Sequence, residues 1–138
     1  MRAAPGDFLP TLRREITREG IAAYAEASGD HNPIHLDEAF ARSVGLPGVI
    51  AHGMLQMGVL ATMVATWAGD PRRVRRVGCR FAGMVRPGDT LVCGGRVAEV
   101  EAGVAGLELW AENQEGVRVV SRAFAEVALE EPRPEPPS

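Results

Sequence analysis

Residues 53–67 read GMLQMGVLATMVATW, and this stretch decides the fold. It is apolar on nearly all sides, whereas a helix on the outside of a domain shows only one apolar stripe. It is also shorter than the roughly 20 residues of a membrane span, and it carries Gln56, Thr62 and Thr66. We therefore predict a buried central helix that the other elements wrap.

The segments that follow the central helix have the composition of strands. Val, Leu and Phe are abundant in residues 74–85, 90–100, 104–112 and 116–129, and the turn signals RPGD, EAG and NQEG separate these segments. Residues 11–16 are predicted to form a short first strand. Consecutive strands after one buried helix favour an antiparallel sheet curled around that helix. The predicted fold class is therefore α+β, in the hot-dog arrangement.

Two further helices are predicted before the central one. Thr17 is a good N-cap and Gly29 stops the apolar run, which gives a helix over residues 18–28. A shorter helix is expected between a cap at Asp37 and a stop at Gly45. The two helices leave an irregular connection between them.

The composition indicates one globular domain. Of 138 residues, 46% are apolar and 24% charged, and the net charge of −3 gives no overall attraction to nucleic acid or anionic lipid. We predict a single domain over residues 1–129 and a disordered tail, rich in Pro and Glu, over 130–138. The sequence contains no Lys, which excludes Schiff-base and lysine-nucleophile chemistry. No export signal is recognised, so a cytoplasmic location without membrane contact is expected.

The two cysteines are predicted to be structural. Cys79 and Cys93 fall in predicted strands, and neither has a CxxC or other ligand-like spacing. Buried reduced thiols are the ordinary state of such residues.

Two neighbouring stretches carry the candidate catalytic residues, namely ASGDHNPIHLDEAFA at 27–41 and GLPGVIAHGM at 45–54. Asp30 and His35 fall on one segment that Pro33 stiffens, because proline fixes its own backbone and disfavours helical geometry at the residue before it. An imidazole titrates close to neutral pH and a neighbouring carboxylate can stabilise its charged form. This pairing favours general acid-base catalysis.

These stretches resemble the (R)-specific hydratase signature of the MaoC family, in which S-G-D-x-N-P-[LIV]-H precedes a downstream H-G-M. The first pattern is matched over residues 28–35 and the second over residues 52–54. With the flanking helix and strands, the similarity covers residues 10–128. The WAGDP stretch and the following V-x-C-x-F strand resemble the HadB-like dehydratases of fatty-acid synthesis in particular.

The resemblance implies reversible hydration of trans-2-enoyl thioesters, which is dehydration of (3R)-hydroxyacyl thioesters in reverse. His35 is predicted to act as general base toward water, Asp30 to hold and polarise that water, and the N–H of Gly53 to bind the thioester oxygen. The predicted substrate-binding residues are Asn32, His52 and Met54. The substrate is expected on coenzyme A or an acyl carrier protein, and no cofactor is expected. In several family members a serine of the central helix positions the catalytic loop, whereas this chain has Thr62 in that region.

Other interpretations of the same residues remain. His31 and His35 have the spacing of a helical zinc pair, although Pro33 opposes the helix that would align them, and we predict no metal. The chain could also be the catalytic subunit of a heterodimer of hot-dog subunits, inactive without its partner, instead of a homodimer. A further alternative is a MaoC-like domain that dehydrates a specialised-metabolite substrate. The arginines suggest either a solvated strand edge or an anion-binding rim for phosphates; they stand at positions 72, 73, 75, 76, 80 and 86.

Overall fold

A computed structural model describes residues 1–130. Two 3-10 turns, Pro33–His35 and Pro71–Arg73, accompany three helices and five strands. In chain order these are β1 (Leu12–Glu15), α1 (Arg18–Ser28), α2 (Glu38–Ser43), α3 (Gly53–Ala68), β2 (Val74–Phe81), β3 (Thr90–Glu101), β4 (Val104–Glu112) and β5 (Val120–Ala128). The predicted tail at 130–138 lies outside the described residues apart from Glu130, and the single domain over 1–129 stays a prediction.

The strands form one antiparallel sheet in the order β1-β3-β4-β5-β2. The first strand along the chain therefore lies at one edge and β2, the strand after the central helix, at the other. The tight turn at 102–103 joins β3 to β4, where Gly103 adopts a positive φ of 76°. The number of strands, one short and four longer, agrees with the prediction.

The central helix packs against the inner face of this sheet. Its Val59, Leu60, Met63 and Val64 lie in one core cluster with inward residues of the sheet strands such as Leu91. The prediction of a helix buried on all sides is wrong in one respect, since a stripe facing outward stays exposed. That stripe consists of Met54, Gly58, Thr62 and Thr66, which recur at helical spacing.

Two predicted strand boundaries are also wrong, because local contacts shorten both strands. The last strand begins at Val120 instead of 116, since the side chain of Asn113 accepts hydrogen bonds from the N–H groups of Glu115 and Val117 and extends the turn. The strand β2 ends at Phe81 instead of 85, where the next two N–H groups both donate to the carbonyl of Val119.

Both cysteines are free thiols; Cys93 is fully buried, as predicted, whereas Cys79 is only half-buried. In the part of the chain that the structure describes, no helix has both the length and the apolar character needed to cross a membrane.

Candidate active site

Asp30, the predicted catalytic carboxylate, directly follows the end of α1. Gly29 ends the helix in the left-handed conformation, with φ 75°, and its N–H donates to the carbonyl of Ala25 at 2.9 Å. The hydroxyl of Ser28 then accepts a hydrogen bond from the N–H of Asp30 at 3.2 Å. Helix termination and a side-chain turn together fix the backbone of the carboxylate residue.

The connection from Asp30 to His35 is held by its own side chains. Oδ1 of Asp30 accepts from the N–H of Asn32 at 3.2 Å, and Oδ1 of Asn32 accepts from the N–H of Ile34 at 3.2 Å. The segment predicted to be irregular therefore includes one 3-10 turn, which begins at Pro33. The Asn32 side chain caps this turn, so its Oδ1 has a structural partner in addition to any substrate that it contacts.

His35 has a defined tautomer. Its side chain is nearly buried, with 9% exposure, and Nδ1 lies 2.7 Å from the carbonyl oxygen of Ile50. Because a carbonyl oxygen only accepts hydrogen bonds, Nδ1 carries the hydrogen. The lone pair of the neutral ring is therefore on Nε2, which leaves this atom available as a base.

His52 joins the two halves of the site. It is 2% exposed, and its Nε2 donates to the backbone carbonyl of Asp30 at 3.0 Å. Its ring stacks on that of His35, with centroids 3.8 Å apart and planes at 24°, while the ring of Tyr24 lies 4.8 Å away on centroids. Within residues 1–130, the buried Nδ1 of His52 has no hydrogen-bond partner.

The structure therefore brings together Asp30, His35 and His52, of which the sequence predicted the first two as catalytic and the third as substrate-binding; these roles stay predictions. One ligand atom from each of the three lies within 4.8 Å of the other two. The set could in principle hold a metal ion, but the lone pairs of two stacked imidazoles lie in nearly parallel planes, whereas one ion needs them to converge. The histidine named in the metal hypothesis, His31, is not in this cluster.

His31 lies at the surface beside the site. Its Nε2 pairs with the Glu26 carboxylate at 2.9 Å, and half of its side chain is exposed. The hydrogen bond to Glu26 raises the pKa of His31, with a smaller contribution from the backbone at Gly29. This histidine therefore belongs to a surface ion pair.

Gly53 is the first residue of α3, directly after His52. The helix has no side-chain cap, and among residues 1–130 no acceptor is paired with the N–H of Gly53. An unpaired N–H at a helix start combines a donor with the positive end of the helix dipole. A Cβ at Gly53 would lie 2.8 Å from the ring of Phe81, which covers this position. An N–H of this kind can bind an oxyanion, and this role of Gly53 stays a prediction.

Met54 and Thr62, which the sequence analysis also singled out, lie on the exposed stripe of the central helix. Met54 is 56% exposed at the start of the central helix, whereas Met63 lies in the core. The hydroxyl of Thr62 donates to the carbonyl of Gly58 at 2.8 Å on the exposed stripe. Thr62 is therefore bonded within its own helix instead of to the catalytic loop.

Most of the predicted anion rim is engaged in contacts within the chain. The contacts are Arg72 with Asp70, Arg76 with Glu126, Arg73 with the carbonyl of Leu129, and Arg86 with the carbonyl of Pro47. These guanidinium groups therefore have partners within the chain, and the anion-binding rim stays a prediction.

Sequence reasoning missed two residues near the site. Gln56, one turn beyond His52 in α3, is 3% exposed, and its Oε1 has no partner among the described residues. Glu38, at the start of α2, accepts a hydrogen bond from the backbone of Val49. A glutamine inside an apolar run was a visible signal for Gln56. No signal identified the long-range contact of Glu38.

A helix packed against an antiparallel sheet defines a hot-dog domain. At the start of that helix, His52 contacts the ring of His35 and the backbone of Asp30. The chain belongs to the MaoC like domain family, whose model matches residues 2–114. This membership confirms the fold and the family predicted from the sequence. The finer resemblance to HadB-like dehydratases stays a prediction.

Individual relatives agree with this membership. The chain is 40% identical over 108 residues to the fatty acid synthase beta subunit aflB of Emericella nidulans, covering 76% of this chain and 5% of the relative. It is 37% identical over 84 residues to the peroxisomal enoyl-CoA hydratase 2 of Arabidopsis thaliana, covering 59% of this chain and 27% of that enzyme. The chain therefore spans only a small part of these curated relatives.

One solved structure is similar to this chain over nearly the whole length of both proteins. R-hydratase PhaJ1 from Pseudomonas aeruginosa, in the unliganded form, superposes with a TM-score of 0.83 at 30% identity. The match covers 98% of this chain and 90% of that one. The similarity to a hydratase of comparable length agrees with the predicted hydro-lyase class.

Proposed function

We propose that this chain is a hydro-lyase that hydrates trans-2-enoyl thioesters, or dehydrates (3R)-hydroxyacyl thioesters, in fatty-acid or polyketide-type metabolism. The observation that carries the proposal is the hydrogen bond from Nδ1 of His35 to the Ile50 carbonyl. It leaves Nε2 without a hydrogen, as a base, on a ring that has one nitrogen within 4.8 Å of an Asp30 carboxylate oxygen. Names of relatives with hydratase activity support the same class.

In the hydration direction, the oxygen of water bonds to C3 of the enoyl thioester while Nε2 of His35 takes one of its protons. The carboxylate of Asp30 holds that water. The electron pair of the C2=C3 bond moves toward the thioester oxygen, where the N–H of Gly53 stabilises the negative charge. C2 then takes a proton from the protonated dyad, which returns both groups to their starting forms.

Substrate contacts beyond the dyad follow from the same placement. Met54 is exposed beside Gly53 and offers an apolar contact at the mouth of the site. Asn32 and His52 border the reacting groups through the loop and the stacked ring. The thioester is carried by coenzyme A or by an acyl carrier protein, and both carriers belong in the test.

The protein is proposed to act as a dimer. The edge strand β2 is eight residues long, twice the length of the other edge strand, β1. Pairing of β2 with a partner covers its unpaired backbone groups. The partner is a second copy or another hot-dog subunit, and the cytoplasmic location expected from the sequence stays a prediction.

The test is a panel of enoyl and 3-hydroxyacyl thioesters of different lengths, on both carriers, with chiral analysis of the hydrated product. The wild type is expected to yield the (3R) product, and D30N and H35Q are each expected to lower kcat by about 10² to 10⁴. The control H31A alters a surface ion pair next to the dyad and is expected to keep wild-type rates.

Two outcomes discriminate the alternatives. Near wild-type rates in folded D30N or H35Q would exclude the proposed mechanism. An isolated chain without activity, restored by a second hot-dog subunit, would identify a heteromeric dehydratase with this chain as the dyad-bearing subunit. Size measurement by light scattering during gel filtration gives the oligomeric state in both cases.

A further inference from the structure

The hydrogen bond that sets the tautomer of His35 depends on a loop, residues 46–51, that carries its acceptor. The carbonyl of Ile50 accepts from Nδ1 of His35, and the N–H of Ile50 donates to the carbonyl of Ile34 at 3.1 Å. On the other side, the N–H of Ala51 donates to the carbonyl of Val85 at 2.7 Å. The position of one peptide group therefore determines which nitrogen of His35 is the base.

Glu38 holds the same loop one residue earlier. Its Oε2 accepts from the N–H of Val49 at 3.1 Å, and Val49 itself is 3% exposed. The other oxygen, Oε1, lies against Gly48, where an added Cβ would fall 2.4 Å from it. The carboxylate thus contacts two consecutive residues immediately before Ile50. Glu38 itself lies eleven positions before Val49 in the sequence.

Arginines from three parts of the chain surround this contact. Arg18 of α1 lies 3.3 Å from Oε2 of Glu38, and Arg42 of α2 lies 3.5 Å from Oε1. Arg86, in the β2–β3 connection, donates to the carbonyl of Pro47 at 3.3 Å. Two guanidinium groups therefore orient the carboxylate, while the third holds the start of the loop.

The charge state of Glu38 fits this arrangement. The hydrogen bond from the backbone of Val49, followed by the charges of Arg18 and Arg42, lowers the pKa of Glu38. The side chain is therefore ionised near neutral pH and accepts the Val49 N–H as a carboxylate, which makes a stronger hydrogen bond than a neutral acceptor.

We propose that Glu38 is a positioning residue of the active site, which fixes residues 48–50 so that the Ile50 carbonyl selects the catalytic tautomer of His35. Glu38 does not touch the reacting atoms. It acts through Val49 and Ile50, in the way that outer hydrogen bonds orient the ligating histidines of metal sites. The inference rests on the proposed function for its consequence in catalysis, whereas its structural consequence is independent of any activity.

The first measurement is ¹⁵N NMR of the imidazole of His35, which distinguishes the two neutral tautomers, in wild type, E38A and E38Q. Wild type is expected to show Nδ1 protonated. E38A is expected to show a mixture of tautomers, and E38Q, which retains an oxygen that accepts from Val49, is expected to restore most of the wild-type signal. An unchanged His35 signal in folded E38A would overturn the inference.

The second measurement is steady-state kinetics. E38A is expected to lower kcat about tenfold with KM within about twofold, and E38Q to recover to within about threefold of wild type. The control E108Q removes another carboxylate paired with an arginine, Arg96 at 2.7 Å on the sheet, and is expected to leave both kcat and the NMR signal unchanged. Wild-type kcat in folded E38A would overturn the proposed role in catalysis.

The two measurements separate this inference from the proposed function. If the wild type hydrates none of the thioesters but E38A still alters the His35 tautomer, the positioning role holds and the proposed reaction falls. If E38A does not fold, E38D carries the test, because its shorter side chain withdraws the carboxylate from the N–H of Val49. In that variant, a mixture of His35 tautomers at an unchanged thermal unfolding temperature supports the inference, and the wild-type tautomer overturns it.

Discussion

The imidazole rings of His35 and His52 stack with their centroids 3.8 Å apart. Each ring also donates to a backbone carbonyl, His35 to that of Ile50 and His52 to that of Asp30. The ring of His52 therefore contacts the proposed base on its face and the backbone of the proposed carboxylate through its edge. Both members of the dyad depend on a single buried side chain.

Replacement of His52 is expected to affect stability and turnover together. H52A removes the donor to the Asp30 carbonyl and leaves a cavity against His35, so we expect a loss of about 2 to 4 kcal/mol in the free energy of unfolding. The misplaced dyad is expected to lower kcat about 10- to 100-fold. Urea unfolding and steady-state kinetics measure the two effects.

The control for His52 is Y24F, which keeps the ring that lies 4.8 Å from His52 and removes only a hydroxyl. Its kcat is expected to equal that of wild type. A folded H52A protein with the wild-type kcat would contradict the positioning of the dyad by this ring.

Gly53 and Phe81 are expected to be energetically coupled. G53A adds a Cβ that would lie 2.8 Å from the Phe81 ring, so the half-exposed ring must move away from the start of α3. We expect G53A to lower kcat about tenfold, because the added methyl obstructs the approach of the thioester oxygen to the amide.

A double-mutant cycle with F81A measures this coupling. If the ring causes part of the G53A defect, the loss in free energy of unfolding in G53A/F81A will be smaller than the sum of the losses in G53A and F81A. Additive effects would mean that the ring moves without cost, and a wild-type kcat in G53A would argue against an oxyanion-binding role for this amide.

Replacement of Gln56 by methionine, an apolar residue of similar length, is expected to stabilise the protein. Its buried Oε1 has no partner among residues 1–130, and an unpaired polar atom in the interior is destabilising. Q56M is therefore expected to raise the free energy of unfolding by about 1 kcal/mol. The matched change Q114M, at an amide bonded to both Thr90 and Asp89, is expected to lower it. A less stable Q56M protein would indicate a partner for this amide.

The thiol of Cys93 is expected to make stability sensitive to alkaline pH. Burial raises the pKa of Cys93 to about 12, from an ordinary value of 9.0. The folded protein therefore retains this proton after the unfolded chain has lost it, so the contribution is complete below pH 9 and is lost as the pH rises toward 12.

Chemical unfolding from pH 8 upward, in wild type and C93A, measures this loss. The wild type is expected to lose more stability than C93A over the alkaline range. Thiol labelling of the native protein at pH 8 is expected to be slow at Cys93 and faster after unfolding. Equal pH dependence of the two proteins would contradict a buried, protonated thiol at this position.

The amino-acid sequence by itself determined the order of the elements and the local chemistry of the dyad. The apolar run at 53–67 indicated the central helix because helix burial is a property of local composition. Thr17, Gly29 and Pro33 act on their immediate neighbours, so the bounds of α1 and the stiff segment between Asp30 and His35 followed from residue type, whereas the 3-10 turn in that segment was not predicted.

Only the tertiary structure decided which nitrogen of His35 is free and which side chains hold the site. The Ile50 carbonyl, the His52 ring and the Glu38 carboxylate reach their partners across 15, 22 and 11 positions of sequence. Hydrogen bonds of this range depend on how helices and loops pack together. Local propensity contains no information about such packing, and this is why Glu38 was not found from the sequence.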